Sequence, residues 1–297
     1  MANLRDIRNR ISSIKNTQQI TKAMKMVAAA RLRKAQQRMA ATRPYAQKMR
    51  DVVSRLVSGN MAEYKLLRQP EDIQRVVMIV VGSDRGLCGG FNNNLFRVVE
   101  TYIAENLFKL NQDGKLDLVT IGRKADGYFK KRNYNVVESH VGFFDNLNYE
   151  DTSAIMTAAT DAFASGTYDK VLIAFNEFKT VITQNRLVVD ILPLNTEAFD
   201  DNKDSSADEY IDYIYEPDAE TILKRILPVH LNMQLWKAVL ESNASEQGAR
   251  MAAMDNATEN AKELEQDLRL KYNQARQSAI TTEISEIVSG AAALEDQ

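Results

Sequence analysis

The sequence predicts an α/β protein in which a long antiparallel coiled coil of N- and C-terminal helices is joined to a central Rossmann-like α/β domain. Three observations predict it. Ten of the 12 glycines lie between Gly59 and Gly166, while the first 58 residues hold no glycine and one proline, Pro44, and Pro228 is the last proline. Both chain ends carry apolar residues in steps of three and four. The middle instead carries short β-branched runs separated by helical stretches. These changes divide the chain into an N-terminal helix over 1–58, an α/β domain over 70–216 and a C-terminal helix over 217–297.

The first helix is read from Leu4, Ile7, Ile11 and Ile14 onward through Gln18, Thr21, Lys25, Ala28, Leu32, Ala35, Met39, Thr42, Ala46, Met49, Val53 and Leu56. Twelve of these 16 positions are apolar, the pattern of a coiled-coil seam. At ~1.5 Å per residue such a helix reaches roughly 80 Å. Pro44 is its candidate kink, because it removes a backbone donor and crowds the preceding turn. The C-terminal helix repeats the design through Leu231, Leu235, Met251, Met254, Ala261, Leu264, Leu268, Tyr272, Ala275, Ile280, Ile284, Ile287, Ala291 and Leu294. Its phase drifts, and Gly248 interrupts it. Neither helix can bury its stripe alone, so the two are expected to wind around each other, basic against acidic.

Strands are expected at Arg75–Val81, Leu116–Ile121, Asn135–Glu138 and Lys170–Phe175, with helices at Asn93–Leu110, Arg123–Lys131 and Ser153–Ser165 between them, giving a mainly parallel sheet. Phe178–Gln184 and Leu187–Leu192, parted by Asn185-Arg186, read as an edge hairpin. Within the acid-rich run Glu197–Glu220, Asp200–Ser206 reads as a mobile loop, Tyr210–Tyr215 as one more strand, and Glu216-Pro217-Asp218 as the start of the last helix.

Composition excludes several classes. The longest uninterrupted apolar run, Val76–Val81, is far short of the ~20 residues needed to span a bilayer, and the N-terminus lacks the apolar core of a signal peptide. The expectation is a cytoplasmic location. A single cysteine, Cys88, excludes an internal disulfide, and His140 and His230 are too few and too far apart for a zinc-type site. The net charge of −2 conceals +12 over 1–57 and −5 over 228–297. The basic arm fits nucleic acid, an anionic membrane or acidic partners in the protein's own assembly; it lacks the interleaved aromatics of a nucleic-acid groove, which favours the last.

The run Gly82-Ser83-Asp84-Arg85-Gly86-Leu87-Cys88-Gly89-Gly90-Phe91-Asn92 follows the first strand, where α/β proteins often hold phosphate. It has neither the closing Gly-Lys-Ser/Thr of a Walker loop nor the dinucleotide glycine spacing, so its glycines are read as permitting a tight strand-to-helix turn, and no catalytic residue, cofactor or metal is assigned. Tyr213 and Tyr215 share one side of a strand and serve either a core or, beside Glu216, a partner patch. The alanine-rich Met24–Ala30 and Gly290–Leu294 suit close helix packing, or a shaft that turns within a sleeve.

Three ordered segments then carry a resemblance: Ile14–Ala29 (IKNTQQITKAMKMVAA), Ser83–Asn92, and Ala244–Met251 (ASEQGARM) with Ile280–Ala292 (ITTEISEIVSGAA). Together they resemble the γ-subunit family of bacterial F-type ATP synthases. The resemblance implies a non-catalytic central rotor whose coiled coil turns inside the ring of α and β subunits. Its α/β domain lies below with the ε subunit and the membrane ring of c subunits, at the cytoplasmic face of the inner membrane. It further implies that Met24, Lys25, Glu246, Gln247 and Arg250 face the β subunits and that Tyr213, Tyr215 and Glu216 meet the rotor ring. A chloroplast-type regulatory insert with its cysteine pair is absent from the sequence.

Overall fold

The computed structural model describes residues 4–57, 64–194 and 216–295. The expected loop at Asp200–Ser206 and the expected strand at Tyr210–Tyr215 lie outside them. Packing divides the chain into two compact units, Met1–Ala28 with Met251–Gln297, and Ala29–Arg250. Two long helices, α1 (Leu4–Val57) and α6 (Ala219–Glu295), contribute to both, so the division falls within helices rather than where helix gives way to sheet.

In the Ala29–Arg250 unit, strands β1 (Val76–Val81), β2 (Leu116–Ile121), β3 (Val136–His140) and β4 (Lys170–Phe178) are parallel, and β5 (Gln184–Leu192) is antiparallel to β4. Their order is β3-β2-β1-β4-β5. All six residues of β1 are buried, which is why its sequence is continuously apolar instead of alternating. Val76, Met78 and Val80 pack under α2 (Phe91–Asn106) and α4 (Arg123–Lys130), through Leu95, Phe96, Val99 and Phe129. The short α3 (Phe108–Gln112) follows α2 after Leu107 leaves the helical conformation. Val77, Ile79 and Val81 face the opposite layer, formed by α5 (Tyr149–Ala164), Val53 and Leu56 of α1, and Leu227, Leu231 and Leu235 of α6. Each such fully buried side chain contributes about 1.5–3 kcal/mol.

Local signals set the helix starts. The Asn148 side chain accepts from Asp151 N at 2.8 Å ahead of α5, and Asp218 accepts from Thr221 N at 2.7 Å ahead of α6. Helix α1 continues through Pro44, and α6 through Pro228 and the buried Gly248. Gly248 therefore does not interrupt α6. A Cβ there would lie 3.3 Å from Val181 O, so glycine permits close approach to the loop between β4 and β5.

The edge hairpin differs from its expected form. Asn185 and Arg186 are not a turn but paired strand residues, opposite Glu177 and Asn176. A two-residue turn needs positive φ, which Asn-Arg without glycine supplies poorly. The chain reverses instead at Thr180–Thr183, closed by Thr180 N to Thr183 O and Thr183 N to Thr180 Oγ1, both 2.9 Å.

All 16 seam positions read in α1 are buried or half-buried. In the Met1–Ala28 and Met251–Gln297 unit, Arg8 bonds Tyr272, Thr21 bonds Thr258 and Lys25 bonds Asp255. From the first pair to the last, one number rises by 17 as the other falls by 17, the register of an antiparallel pair. One expectation is narrowed and one corrected. Among the described residues opposite charge joins the helices at Lys25–Asp255, while Glu259, Glu265 and Asp267 bond cations of their own helix. The seam also does not continue through Ile280, Ile284 and Ile287, all exposed, because in this register α1 runs out opposite the residues just past Tyr272.

His230 of α6 is buried, and burial, followed by the Arg50 charge, lowers its pKa to about 4. Its Nε2 lies 3.2 Å from the donor Nε2 of Gln234, so Nε2 accepts and the neutral ring carries its proton on Nδ1. The unfolded imidazole titrates near 6.5 and takes its proton first on acidification. This contribution is therefore complete above pH 6.5 and lost as pH falls to about 4, at most about 3 kcal/mol. Denaturant titrations between pH 7.5 and 4.5 should show a shallower decline for His230→Gln. Gly122 has φ +97°, and a Cβ there would come within 2.8 Å of the Ser83 carbonyl carbon. Gly122→Ala should lower stability by roughly 2–3 kcal/mol in the same assay.

Candidate functional site

The strand order reverses at β1, which lies between β2 and β4, and the crevice beyond the carboxyl ends of β1 and β4 is where open α/β sheets bind ligands. Here that crevice is filled by the chain itself. Ser242 Oγ of α6 donates to Val81 O at 3.3 Å, Ser245 Oγ donates to Asn176 O at 3.1 Å, and Gln184 Nε2 of β5 donates to Ser245 O at 3.0 Å. Ser242, Ser245 and Ala244 are wholly buried. Small side chains at these positions let the helix backbone lie close to the strand ends, and their hydroxyls donate to carbonyls there.

The Gly82–Asn92 loop closes the same end of the sheet. Asn92 accepts from Ser83 N at 3.1 Å and donates to Ser83 Oγ at 2.8 Å and to Cys88 Sγ at 3.3 Å. Burial, with the Glu246 charge added, raises the Cys88 pKa, so the thiol is a packed, protonated group. The Asp84 carboxylate accepts from three backbone N–H groups: Gly142 at 2.7 Å, Arg123 at 3.0 Å and Phe144 at 3.0 Å. Amides that could have cradled a phosphate, including the first of α4, are held by an internal carboxylate.

Arg250 ties loop and helix together. Its Nη2 donates to Glu246 Oε1 at 2.6 Å and, at 3.3 Å, to both Arg85 O and Gly86 O. Arg250 is 7% exposed and Glu246 4%. Burial raises the Glu246 pKa, and Arg250 opposes that shift. The pair lies at the back of a surface cavity of about 380 Å³ whose wall includes Arg31, Arg38, Arg85 and Gln247.

The residues singled out in the sequence are thus distributed over both units. Glu246, Gln247 and Arg250 come together at this joint, buried in their own chain. Met24 and Lys25 belong to the coiled-coil unit, half-buried, with Lys25 bonded to Asp255. Glu216 is exposed just before α6, and Tyr213 and Tyr215 lie outside the described residues. The carbonyl-capping roles of Ser242 and Ser245, the loop-closing role of Asn92 and the anchoring role of Asp84 escaped the sequence reading. The available signal was a helix segment, Ser242 to Arg250, too polar for a core stripe yet continuous with apolar turns before it.

Removing Arg250 strands the Glu246 carboxylate in a buried site. Arg250→Leu should cost about 3–5 kcal/mol in urea denaturation. Adding Glu246→Leu should recover part of that loss, since the stranded charge goes with it while two loop carbonyls stay unpaired.

Comparison with known proteins agrees with this architecture. The family described as ATP synthase matches residues 3–294. The ATP synthase gamma chain of Chloroherpeton thalassium is 45% identical over 302 residues, covering 99% of each chain, and that of Anaeromyxobacter dehalogenans is 46% identical over 298 residues, covering 99% of this chain and all of the relative. Among solved structures, a central stalk and c-ring chain of the Tetrahymena thermophila mitochondrial ATP synthase is 25% identical with TM-score 0.58, over 80% of this chain and 99% of that one. A chain of the Euglena gracilis mitochondrial ATP synthase shares the fold with TM-score 0.67 at 19% identity, over 98% of this chain and 94% of that one. Matched from end to end by these relatives, the chain belongs to the ATP synthase gamma chain family.

Proposed function

We propose that this chain is the central rotor shaft of an F-type ATP synthase, coupling ion-driven rotation of a membrane ring of c subunits to ATP synthesis or hydrolysis in a head of α and β subunits. One observation carries the reading beyond family membership. Ile280, Ile284, Ile287 and Val288 of α6 are all exposed, between 47% and 65%, although they are large and apolar. A contiguous apolar helix surface left open to water marks a contact with another protein. A head that encloses the helix end supplies that contact.

The shaft itself is non-catalytic. The ligand crevice of its sheet holds Ser242 and Ser245, and the nearby amides hold Asp84, which leaves the chemistry to the head. Met24 and Lys25 meet the β subunits from the coiled coil. Glu246, Gln247 and Arg250 meet them through the cavity they line. Tyr213, Tyr215 and Glu216 form the foot on the rotor ring, beside the ε subunit. The protein works as a peripheral component at the cytoplasmic face of the cell membrane, and no helix among the described residues is long and apolar enough to cross it. Rotation acts on the head by presenting different faces to successive β subunits, so each face favours a different nucleotide-binding state.

The purified chain should show no ATP turnover, and adding it to α and β subunits should confer turnover on the mixture; robust hydrolysis by the chain alone would refute the proposal. Ile284→Lys with Ile287→Lys should leave the melting temperature of the free chain unchanged and reduce turnover of the reconstituted complex roughly tenfold or more, because two charges then enter an apolar contact.

A further inference from the structure

The cavity of about 380 Å³ beside the Arg250 joint has a chemistry of its own. Its walls come from α1, α6, the Gly82–Asn92 loop and the segment Phe144–Leu147, and its volume suits a small ligand. Five cations line it: Arg31, Lys34 and Arg38 of α1, with Arg85 and Arg250. Three carboxylates oppose them, and each is already engaged. Asp84 holds three backbone amides, Asp145 accepts from Arg85 Nη2 at 2.9 Å, and Glu246 accepts from Arg250. The Arg31 charge also reaches Glu246. Beyond these the supply of acid is short, since α1 carries none between Asp6 and Asp51 and α6 only Glu246 between Glu241 and Asp255. Glu241 lies 3.9 Å from Lys237 of its own helix. Arg31, Lys34 and Arg38 are exposed on one face of α1, and none forms an ion pair among the described residues.

Two largely buried side chains add donors to the same space. All three hydrogen bonds of the Arg250 guanidinium run through Nη2, so Nε–H and both Nη1–H groups lack an acceptor among the described residues, and neither nitrogen is sealed from water. Gln247 is 6% exposed and its amide forms no hydrogen bond there; Oε1 is the sealed end, which leaves Nε2 as the end open to the cavity. Donors thus arrive from α1 on one wall and α6 on another. A tetrahedral oxyanion, whose oxygens point in several directions, meets such donors better than a carboxylate that accepts in one plane. A chain of phosphates spreads those oxygens over the reach from Arg31 to Arg38, about 10 Å along the helix.

We propose that this cavity binds a polyphosphate chain, either free or as the phosphate tail of a nucleotide, between Arg31, Lys34 and Arg38 on one side and Gln247 and Arg250 on the other. The site is built from side chains and lies outside the crevice that α6 fills, so it binds phosphate without the backbone amides of a phosphate loop. The inference goes beyond the shaft reading and does not rest on it: it is tested on the free chain, whereas that reading is tested in the reconstituted complex.

The test is isothermal titration of the full chain with sodium triphosphate, at an ionic strength of about 0.15 M and without divalent cations. One saturable site with Kd on the order of 0.1 mM is expected. Arg31→Gln with Arg38→Gln should weaken binding roughly tenfold or more at an unchanged melting temperature. Arg33→Gln with Lys48→Gln, which removes the same charge from α1 away from the cavity, should leave binding within about twofold. ATP matching triphosphate would identify the phosphate chain itself as the ligand, and ATP binding more tightly would identify a nucleotide; both support the site. No saturable heat, citrate or adenosine binding as tightly as triphosphate, or equal losses in the two double variants would each overturn the proposal.

Discussion

The Ala29–Arg250 unit depends on one constraint: helix α6 must lie close against the carboxyl ends of a parallel sheet and supply donors to the backbone carbonyls it meets there. A helix satisfies its own backbone, so it can enter that crevice where an irregular loop could not. It can do so closely only where its side chains are small, at Ser242, Ala244, Ser245 and Gly248. The carbonyls of Val81 and Asn176 then find hydroxyl donors, and those of Arg85 and Gly86 find Arg250. Each of these contacts contributes little singly, about 0.5–1.5 kcal/mol net, yet losing one leaves a buried acceptor unmade at greater cost.

This arrangement reassigns a familiar architecture. In an open α/β sheet the crevice beside the first strand belongs to a ligand, and the glycine-rich turn after that strand serves it. Here Gly82 and Gly122 allow close packing of loop, strand and helix, since a Cβ on Gly82 would meet Ala125 at 2.9 Å and one on Gly122 would meet the Ser83 backbone. Asp84 occupies the anion position. The crevice at the switch point thus serves as the seat of helix α6.

Much of this was legible in the sequence, and the boundary follows the range of the interactions. The α1 seam was legible because burial there repeats every three or four residues, and β1 and β2 because strands buried on both faces must be continuously apolar. The β4–β5 turn was not, because Val181 and Ile182 look like strand residues; what decides is the register that sets Phe178 opposite Gln184. Asp84 was invisible for a similar reason, as its three donors lie 39 to 60 residues away. The exposed end of α6 carries the same apolar periodicity as a buried seam. Periodicity reveals that a stripe seeks a partner, but not whether that partner lies in the same chain.

The seat of α6 also has a consequence for biosynthesis. Ser242 is 161 residues beyond the Val81 carbonyl it caps, and Ser245 is 69 beyond that of Asn176. Every strand of the sheet therefore leaves the ribosome before the segment that covers its carboxyl ends. At about 5–20 residues per second, β1 waits roughly 10–30 s with its crevice open to water. During that interval the nascent sheet exposes the surface at which open α/β sheets bind ligands, and completion of the fold is timed by translation of the final helix.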